Sequence, residues 1–458
     1  MPVFRTLRVA VLMVATLPTA ALAEPGTDAA LLENIRQDVS AERIEKDITR
    51  LVGFGTRHTL SDTKSETRGI GAARRWVYDE FKRISAECGD CLEVYYQSDF
   101  VEGERRIPNR TEVVNVIAVQ KGTVDPGRYV IMSGDIDSRV TDPMNFTDDS
   151  PGANDNASGL AGALEAARVL SKHKFAGSIV YAGLSGEEQG LFGGKIMAAA
   201  AKKDGWRITG VLNNDMIGNI EGINGVINNT TARVFMEGTR MNETPQQATA
   251  RRFRGGEVDS PSRNLGRYVH KIAEDHIPNL DVMMIYRLDR FGRGGHHRPF
   301  NDAGYAGVRI METNEHYDRQ HQDLRTEGGV KYGDTLDGVN FDYAAKLTSL
   351  NALTMAALSR APAPPAGVEI SGAVSANTTL KWQPADTREN DLIAGYKVYW
   401  RLTTDATWTH SVFVGNVSEH TLENIVIDNY FFGVAAVSKE GFESPVVFPG
   451  PAGDFYLD

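Results

Sequence analysis

Cysteine, long apolar runs and positive charge are all scarce in this sequence of 458 residues. The chain has 2 cysteines, Cys88 and Cys91, which excludes a zinc site built from two cysteine pairs. No later segment reaches about 18 uninterrupted apolar residues, the length that a membrane-spanning helix needs. Lys and Arg number 49 against 60 Asp and Glu, a formal charge of -11, which makes nucleic acid and anionic membranes poor partners.

The remaining composition is that of a folded protein. Hydrophobic residues make up 41% and charged residues 24% of the chain, and the 45 glycines and 18 prolines are ordinary numbers for this length. The sequence is therefore neither collagen-like nor of low complexity. Its length is sufficient for two or three domains with a large buried core.

The first 23 residues have the three parts of a secretory signal. Arg5 and Arg8 supply positive charge, an apolar run extends over 9–17, and Ala-Leu-Ala at 21–23 is a small-x-small cleavage site. A buried N-terminal helix would account for the apolar run but not for this order. We therefore expect residues 1–23 to be removed and the protein to be secreted or periplasmic.

The two cysteines are close together, in Cys88-Gly-Asp-Cys91. In a reducing compartment this spacing would suggest redox chemistry or half of a zinc site. In an exported protein it favours a local disulfide across a tight turn. Because the closed loop is short, we expect a small structural contribution from this bond.

The pattern of apolar residues changes near residue 112. Residues 30–100 are predicted to be mostly helical, whereas the following segments alternate between strands and helices. The predicted strands are 113–119, 129–132, 179–184 and 208–212, and the predicted helices are 158–171 and 188–201. This alternation predicts an α/β fold with a largely parallel sheet that is covered on both faces.

The last quarter of the chain has a different character. After a helix predicted over 343–359, the proline-rich segment 361–365 marks a linker. Residues 366–458 have short alternating strands separated by turn residues, a pattern typical of a β-sandwich. The predicted strands are 378–382, 393–401, 409–414 and 430–437. The region resembles a fibronectin type III domain, with Trp382, Tyr396 and Phe432 as core aromatic residues, and a protein or a polysaccharide is a candidate partner for it.

Acidic residues stand directly after three of the predicted strands, where open α/β sheets bind their ligands. They are Asp135, Asp137, Glu187, Glu188 and Asp215. A further carboxylate, Asp155, stands just before the helix predicted at 158–171. Any one of them alone would be explained as a turn or capping residue. Together they predict one cluster, and its mutual repulsion requires bound protons or cations.

Imidazoles commonly complete a cation site of this kind. The candidates are His296 and His297 in one segment and His316 and His321 in the next. A mixed set of carboxylate and imidazole ligands suits zinc best.

Four separated segments resemble the zinc aminopeptidases of peptidase family M28. They are residues 151–159, 184–193, 211–218 and 298–315. The resemblance covers about residues 110–330, and the four segments occur in the order and at the spacing usual in that family. It implies an α/β/α phosphorylase/hydrolase-like fold over residues 24–360, with two divalent metal ions that share one carboxylate.

The resemblance also implies a role for each candidate ligand. Asp155 would bridge the two metal ions. Asp135 and Asp215 would hold the first ion, and Glu188 and His321 the second. His321 is preferred to His316 because its position before Gln-Asp fits the end of the motif.

Two further carboxylates would act beside the metal ions. Glu187 would be the general base that takes a proton from water and passes it to the leaving amine. Asp137 would orient the first metal ligand from behind. Two adjacent glutamates would thus have the two roles that a metal-dependent hydrolase needs: Glu187 as the base and Glu188 as a metal ligand.

This sequence departs from the family pattern at three positions. Asp135 stands where the family has a histidine ligand, which adds negative charge and makes a one-metal site plausible. His296 stands where an aspartate often precedes the histidine, here His297. Gln320 replaces a tyrosine that often precedes the last histidine, so stabilisation of the transition-state oxygen would come from elsewhere.

We therefore expect an exported metalloaminopeptidase that removes N-terminal residues, mainly apolar ones, from peptides. Two alternatives stay open. The first is a glutaminyl cyclase-like transferase, which shares the fold and uses a single zinc. The second is a degenerate, non-catalytic binding protein, although the retention of both Glu187 and Glu188 argues against it.

Overall fold

Three helices precede the first strand in the computed structural model, which describes residues 23–384, 387–389 and 391–456. They are α1 (Ala29–Asp38), α2 (Ala41–Val52) and α3 (Gly69–Glu87). Side chains of Asp28 and Ser40 cap the first two helices by accepting backbone N–H groups. The predicted signal segment lies, apart from Ala23, outside the described residues.

Cys88 and Cys91 form a disulfide directly after α3. The chain then enters a strand, β1 (Leu92–Val101), which pairs antiparallel with β2 (Thr111–Gln120) along its whole length. The prediction of mostly helical structure to residue 100 is therefore wrong for this strand. Pairing with β2, which lies later in the chain, determines its conformation.

Eight strands form the main sheet, in the order β1-β2-β4-β3-β5-β8-β6-β7. The further strands are β3 (Asp125–Asp135), β4 (Gly177–Leu184), β5 (Arg207–Asn214), β6 (Thr231–Met236), β7 (Asp281–Ile285) and β8 (Gly307–Glu312). The central strands β4, β3, β5 and β8 are parallel, whereas β1, β2 and the β6–β8 pair add antiparallel contacts. The sheet is thus mostly parallel, as predicted.

Helices cover both faces of this sheet. They include α4 (Ala157–Leu170), α5 (Phe192–Lys203), α7 (Pro261–His276), α8 (His297–Asp302) and α9 (Phe341–Arg360). A further helix, α6 (Pro245–Arg254), has no buried residue. Side chains of α1 to α4, α7 and α9 pack in the core on one face, and those of α5 and α8 in the core on the other. Every residue of β4 is buried, which explains why this strand has a continuous apolar sequence. No helix among the described residues is long and apolar enough to span a bilayer.

Two small antiparallel sheets follow α9. One has the order β11 (Ala366–Ser371), β12 (Thr378–Gln383), β15 (Glu419–Leu422), and the other β14 (His410–Gly415), β13 (Ile393–Leu402), β16 (Tyr430–Ser438). A separate hairpin, β9 (Arg325–Glu327) and β10 (Val330–Tyr332), lies before α9. Trp382, Tyr396 and Phe432 are buried, as expected for core residues.

The two small sheets pack firmly against the rest of the molecule. Segment 361–365, predicted as a linker, is buried, and one apolar core continues from α9 into these sheets. Arg401 in β13 donates to Asp259 at 2.7 Å, and both side chains are at most 1% exposed. Asp259 also accepts from Arg267 at 2.9 Å, so it links both parts of the chain.

Asp259→Asn should lower the free energy of unfolding by about 3 kcal/mol, because it leaves two buried guanidinium groups without a full counter-charge. Chemical denaturation measures this change. The control is Glu440→Gln, which removes an exposed ion pair between the same two parts of the chain, Arg360–Glu440 at 2.8 Å. That substitution should cost less than about 1 kcal/mol, and equal losses for the two variants would contradict the role given to Asp259.

Candidate metal centre

Three neighbouring strands bring acidic residues to one edge of the main sheet. Asp135 is the last residue of β3, Glu187 and Glu188 follow β4, and Asp215 follows β5 directly. Strand β3 lies between β4 and β5 and is parallel to both. Their carboxyl ends therefore meet, and four predicted site residues lie along one rim.

Asp155 reaches this rim from the loop before α4. The backbone N–H groups of Asn154 and Asp155 donate to the carboxylate of Asp334, at 2.9 and 2.6 Å. The peptide bond between Asp155 and Asn156 is cis. Asp334 thus holds the loop that carries Asp155, a role that no feature of the sequence indicated.

Asp155, Glu188 and His321 form a close group of potential ligands. Nε2 of His321 lies 2.9 Å from Oδ2 of Asp155 and 2.8 Å from Oε1 of Glu188. One ligand atom of each residue lies within 4.8 Å of the other two, and no second group of three Asp, Glu, His or Cys residues has this geometry in the described part of the chain. The side-chain amide of Gln320 donates to Asp155 at 3.1 Å. These three residues are the ones that could hold a cation together.

Arg139 supports this group from one side. Its Nε donates to Glu188 at 2.8 Å, and its Nη2 lies 2.7 Å from Nδ1 of His321. Because a guanidinium can only donate, Nδ1 accepts this bond and the ring carries its proton on Nε2, facing the carboxylates. A cation held by Nε2 would replace that proton.

The surroundings of Asp155 lower its pKa, whereas those of Glu187 raise its pKa. Burial opposes the ionisation of Asp155, but the His321 ring and the Gln320 amide outweigh it and hold the pKa of Asp155 well below its usual range. Burial and the neighbouring carboxylates, Glu188 first, raise the pKa of Glu187 well above its usual range. Glu187 is therefore suited to carry a proton, which is the property of an acid–base group.

Asp137 positions the two glutamates. Its carboxylate accepts the backbone N–H of Glu187 at 3.2 Å and that of Glu188 at 3.1 Å, and the hydroxyl of Thr59 at 3.2 Å. The resemblance implied that Asp137 orients the ligand at position 135. The observed contacts instead fix the turn after β4, so that Glu188 and Glu187 present their side chains to the rim.

Asp135 makes two hydrogen bonds within the protein. One carboxylate oxygen lies 2.5 Å from Nδ1 of His296, and the other accepts the Asn156 amide at 2.7 Å. Burial raises the pKa of Asp135 and lowers that of His296 to about 4, which favours the uncharged form of each residue. Each oxygen of Asp135 thus already takes part in one hydrogen bond within the protein.

Asp215 pairs with an arginine that sequence reasoning did not single out. Nη2 of Arg309 lies 2.9 Å from Oδ2 of Asp215, and its Nη1 lies 3.2 Å from Asp289. The Arg309 side chain is fully buried, and two carboxylates raise its pKa above the usual range. Oδ1 of Asp215 has no hydrogen-bond partner among the described residues. A fixed guanidinium thus pairs with one of the residues that the resemblance assigns to the first metal ion.

The two expected metal positions therefore differ in how well their residues fit a cation. Asp155, Glu188 and His321 offer two carboxylates and an imidazole at close range, a donor set that suits zinc. The other position would depend on Asp135, whose oxygens each take part in a hydrogen bond, and on Asp215, which already pairs with Arg309. The first group therefore fits a cation better than the second position does.

The remaining candidate histidines lie outside this group. Nε2 of His297 is 2.8 Å from the carbonyl of Leu288 and 3.5 Å from Asp289, which places it in the Arg309 network. His316 is half-buried and does not belong to the close group of ligands found among the described residues.

The rim opens into a cavity of about 790 Å³. Asp155, Glu187, Glu188, Asp215 and His321 are all on its wall, with Gln189, Leu191, Phe192 and Pro299 among their neighbours. A substrate in this cavity would therefore contact the proposed base and the ligand group at the same time.

Comparison with known proteins supplies the family. The model of peptidase family M28 matches residues 115–327. A protein of Leptosphaeria maculans described as a probable zinc metalloprotease is 43% identical over 416 residues, which are 91% of this chain and 96% of that protein. One of Pyricularia oryzae with the same description is 41% identical over 420 residues, covering 90% of this chain and 83% of that protein.

Solved structures show the same fold at low sequence identity. The LapA aminopeptidase of Legionella pneumophila has a TM-score of 0.52 and 18% identity, covering 77% of this chain and 76% of that one. LapB from the same organism has a TM-score of 0.50 and 17% identity, covering 71% and 74%. With the family match and the long alignments to the two fungal relatives, these findings give one conclusion: the chain belongs to peptidase family M28.

Proposed function

We propose that this protein is an exported, metal-dependent aminopeptidase that hydrolyses peptides. One observation carries the proposal: Asp155, Glu188 and His321 converge within 4.8 Å on the wall of a cavity that also contains Glu187. Such an arrangement combines a cation site with an acid–base group, which is what hydrolysis of an amide requires. The fungal relatives described as probable zinc metalloproteases support the same chemistry.

Each residue at the rim would have a separate task. Asp155, Glu188 and His321 would hold a divalent cation, zinc by ligand type, which supplies positive charge to polarise a carbonyl and acidify water. Glu187 would accept a proton from the attacking water and deliver it to the departing amine. Asp137 keeps Glu187 and Glu188 in place through its bonds to their backbone N–H groups.

Asp215 supports the assignment as an exopeptidase. Asp215 is one of the residues on the cavity wall, and its Oδ1 is buried and has no protein partner among the described residues. A free α-ammonium group is a natural partner for such an oxygen. Arg309 holds the other oxygen, so the carboxylate cannot turn away.

The proposal places a single cation at the centre, rather than the two that the family resemblance implies. The guanidinium of Arg309 supplies fixed positive charge beside Asp215. Asp135 pairs with His296 and accepts the Asn156 amide, while Nε2 of His296 has no partner among the described residues. Groups of the protein itself would therefore offset part of the charge of the carboxylates at the first position.

A glutaminyl cyclase is a second candidate, and the single cation position is the observation that favours it. Cyclisation of an N-terminal glutamine releases ammonia without shortening the chain. Mass spectrometry of glutamine-headed and leucine-headed peptides after incubation separates the two reactions. Loss of the first residue from both peptides would support the peptidase.

Export and the C-terminal module are also proposals. The N-terminal order of Arg5, Arg8, apolar run and Ala-Leu-Ala supports export, and the Cys88–Cys91 disulfide is compatible with an oxidising compartment. The strand orders β11-β12-β15 and β14-β13-β16 support a fibronectin type III module. A protein or polysaccharide partner for this module stays a prediction.

Metal analysis of the purified protein should find one divalent cation per chain after removal of loosely bound metal. Mass spectrometric metal counting measures this ratio. His321→Ala should reduce the ratio to near zero, whereas His316→Ala, a matched histidine outside the group, should leave it at one. Two tightly bound ions per chain would contradict the single-cation proposal while leaving the peptidase proposal intact.

Glu187→Gln should lower kcat by at least about a thousandfold, because the amide cannot accept the proton of the attacking water. Its cation content should equal that of the unaltered protein. Glu188→Gln is the comparison, since it should lose the cation as well as the activity. Turnover by Glu187→Gln within about tenfold of the unaltered enzyme would remove Glu187 from the reaction.

A further inference from the structure

The cavity in front of the rim is rich in positive charge, although the chain as a whole carries a formal charge of -11. Seven of the residues on its wall are basic: Arg105, Arg106, Arg139, Lys195, Arg290, Arg293 and Arg298. Six are acidic, and four of these, Asp155, Glu187, Glu188 and Asp215, belong to the centre itself. Beyond the centre, basic residues therefore predominate on the wall.

Two of the basic residues have carboxylate partners within the protein. Arg139 donates to Glu188 at 2.8 Å, and Arg290 donates to Glu315 at 2.8 Å. Their charge is compensated, so we assign them to the framework of the site. They do not provide the excess positive charge.

The other five form no ion pair with any residue in the described ranges: Arg105, Arg106, Lys195, Arg293 and Arg298. Arg105 and Arg106 lie in the loop between β1 and β2, Lys195 lies on α5, and the last two lie at or near α8. Three different elements thus present uncompensated cations to one cavity. A cleft lined by charges of one sign raises the local concentration of ligands that carry the opposite charge.

Arg106 is the basic residue of this set that is fixed closest to the centre. It donates to the backbone carbonyl of Glu188 and is half-buried. A carboxylate beside Arg106 would lie next to the bond that Glu187 and Glu188 face.

Apolar side chains contribute little to the same wall. Leu191, Phe192 and Pro299 are its only large apolar members. The nitrogen of Lys195 lies 4.6 Å from the centre of the Phe192 ring, so this ring is partly covered by a cation. The expectation of a preference for apolar residues therefore finds little support in the cavity.

We propose that this cavity selects peptides that carry carboxylates close to the bond that is cleaved. The inference rests on the proposed peptidase function and names the substrate class for the same site. The carboxylates have two sources, aspartate and glutamate side chains near the N-terminus or the free α-carboxylate of a short peptide. Both would be bound by the five uncompensated cations.

Matched peptides separate the two sources. The first pair is Leu-Glu-Glu-Ala amide and its uncharged isostere Leu-Gln-Gln-Ala amide, and the second pair is Leu-Gln-Gln-Ala as the amide and as the free acid. We expect kcat/KM of the metal-loaded enzyme to be at least about tenfold higher for the acidic member of one or both pairs at low salt. The ratio should fall as ionic strength rises.

Charge removal from the wall tests which residues are responsible. The double variant Arg105→Gln with Arg293→Gln removes two exposed cations and should reduce the acidic-to-neutral ratio of kcat/KM by about threefold or more. The matched control is Arg252→Gln, an exposed arginine on α6 outside the cavity, which should keep the ratio unchanged. An unchanged ratio in the double variant would overturn the role given to these cations.

Failure of this inference is distinguishable from failure of the proposed function. Equal turnover of acidic and neutral peptides would overturn the substrate class and keep the peptidase. If no peptide is cleaved, binding of the same peptides to the metal-loaded Glu187→Gln variant decides the question by calorimetry. Tighter binding of the acidic peptides by about tenfold supports the inference, and equal binding overturns it.

Discussion

The mutual repulsion of buried carboxylates at the ends of β3, β4 and β5 is the constraint on which the site depends. Asp135, Glu188 and Asp215 are buried and Asp155 is nearly so, at an edge where water is largely excluded. Isolated charges in such surroundings are strongly unfavourable. Each carboxylate is stabilised by a different partner. Asp135 contacts an imidazole and an amide, and Asp215 contacts a guanidinium. Asp155 and Glu188 share a position that could hold a cation.

These contacts are the basis for the proposal that the centre holds one cation rather than two. The family pattern implies a histidine at 135 and an aspartate at 296, and this chain has the reverse, Asp135 and His296, in contact at 2.5 Å. The imidazole in this chain thus pairs with the carboxylate at position 135 instead of standing at that position itself. Arg309 then supplies permanent positive charge beside Asp215, which no chelator can remove.

Much of the site could be predicted from the sequence, because short apolar runs place Asp135, Glu187, Glu188 and Asp215 at or after strand ends, where α/β sheets bind their ligands. Asp155, just before α4, was predicted to join them. Arg309 could not be predicted. It lies inside β8, and its approach to Asp215 depends on the pairing of Asn213 with Arg309 between strands about ninety residues apart. The same limit applies to β1, whose pairing with β2 decides its conformation, and to the buried contacts of segment 361–365. Local patterns predicted the elements, whereas contacts distant in sequence determined their partners.

Anomalous diffraction from crystals grown with zinc is the most direct test of whether the centre holds one cation. It shows where each ion lies, whereas metal counting gives only how many ions are bound. We expect one strong anomalous peak among Asp155, Glu188 and His321. The ion pair between Arg309 and Asp215 should be intact. A second peak of similar height between Asp155 and Asp215, with Arg309 displaced, would contradict the single-cation proposal.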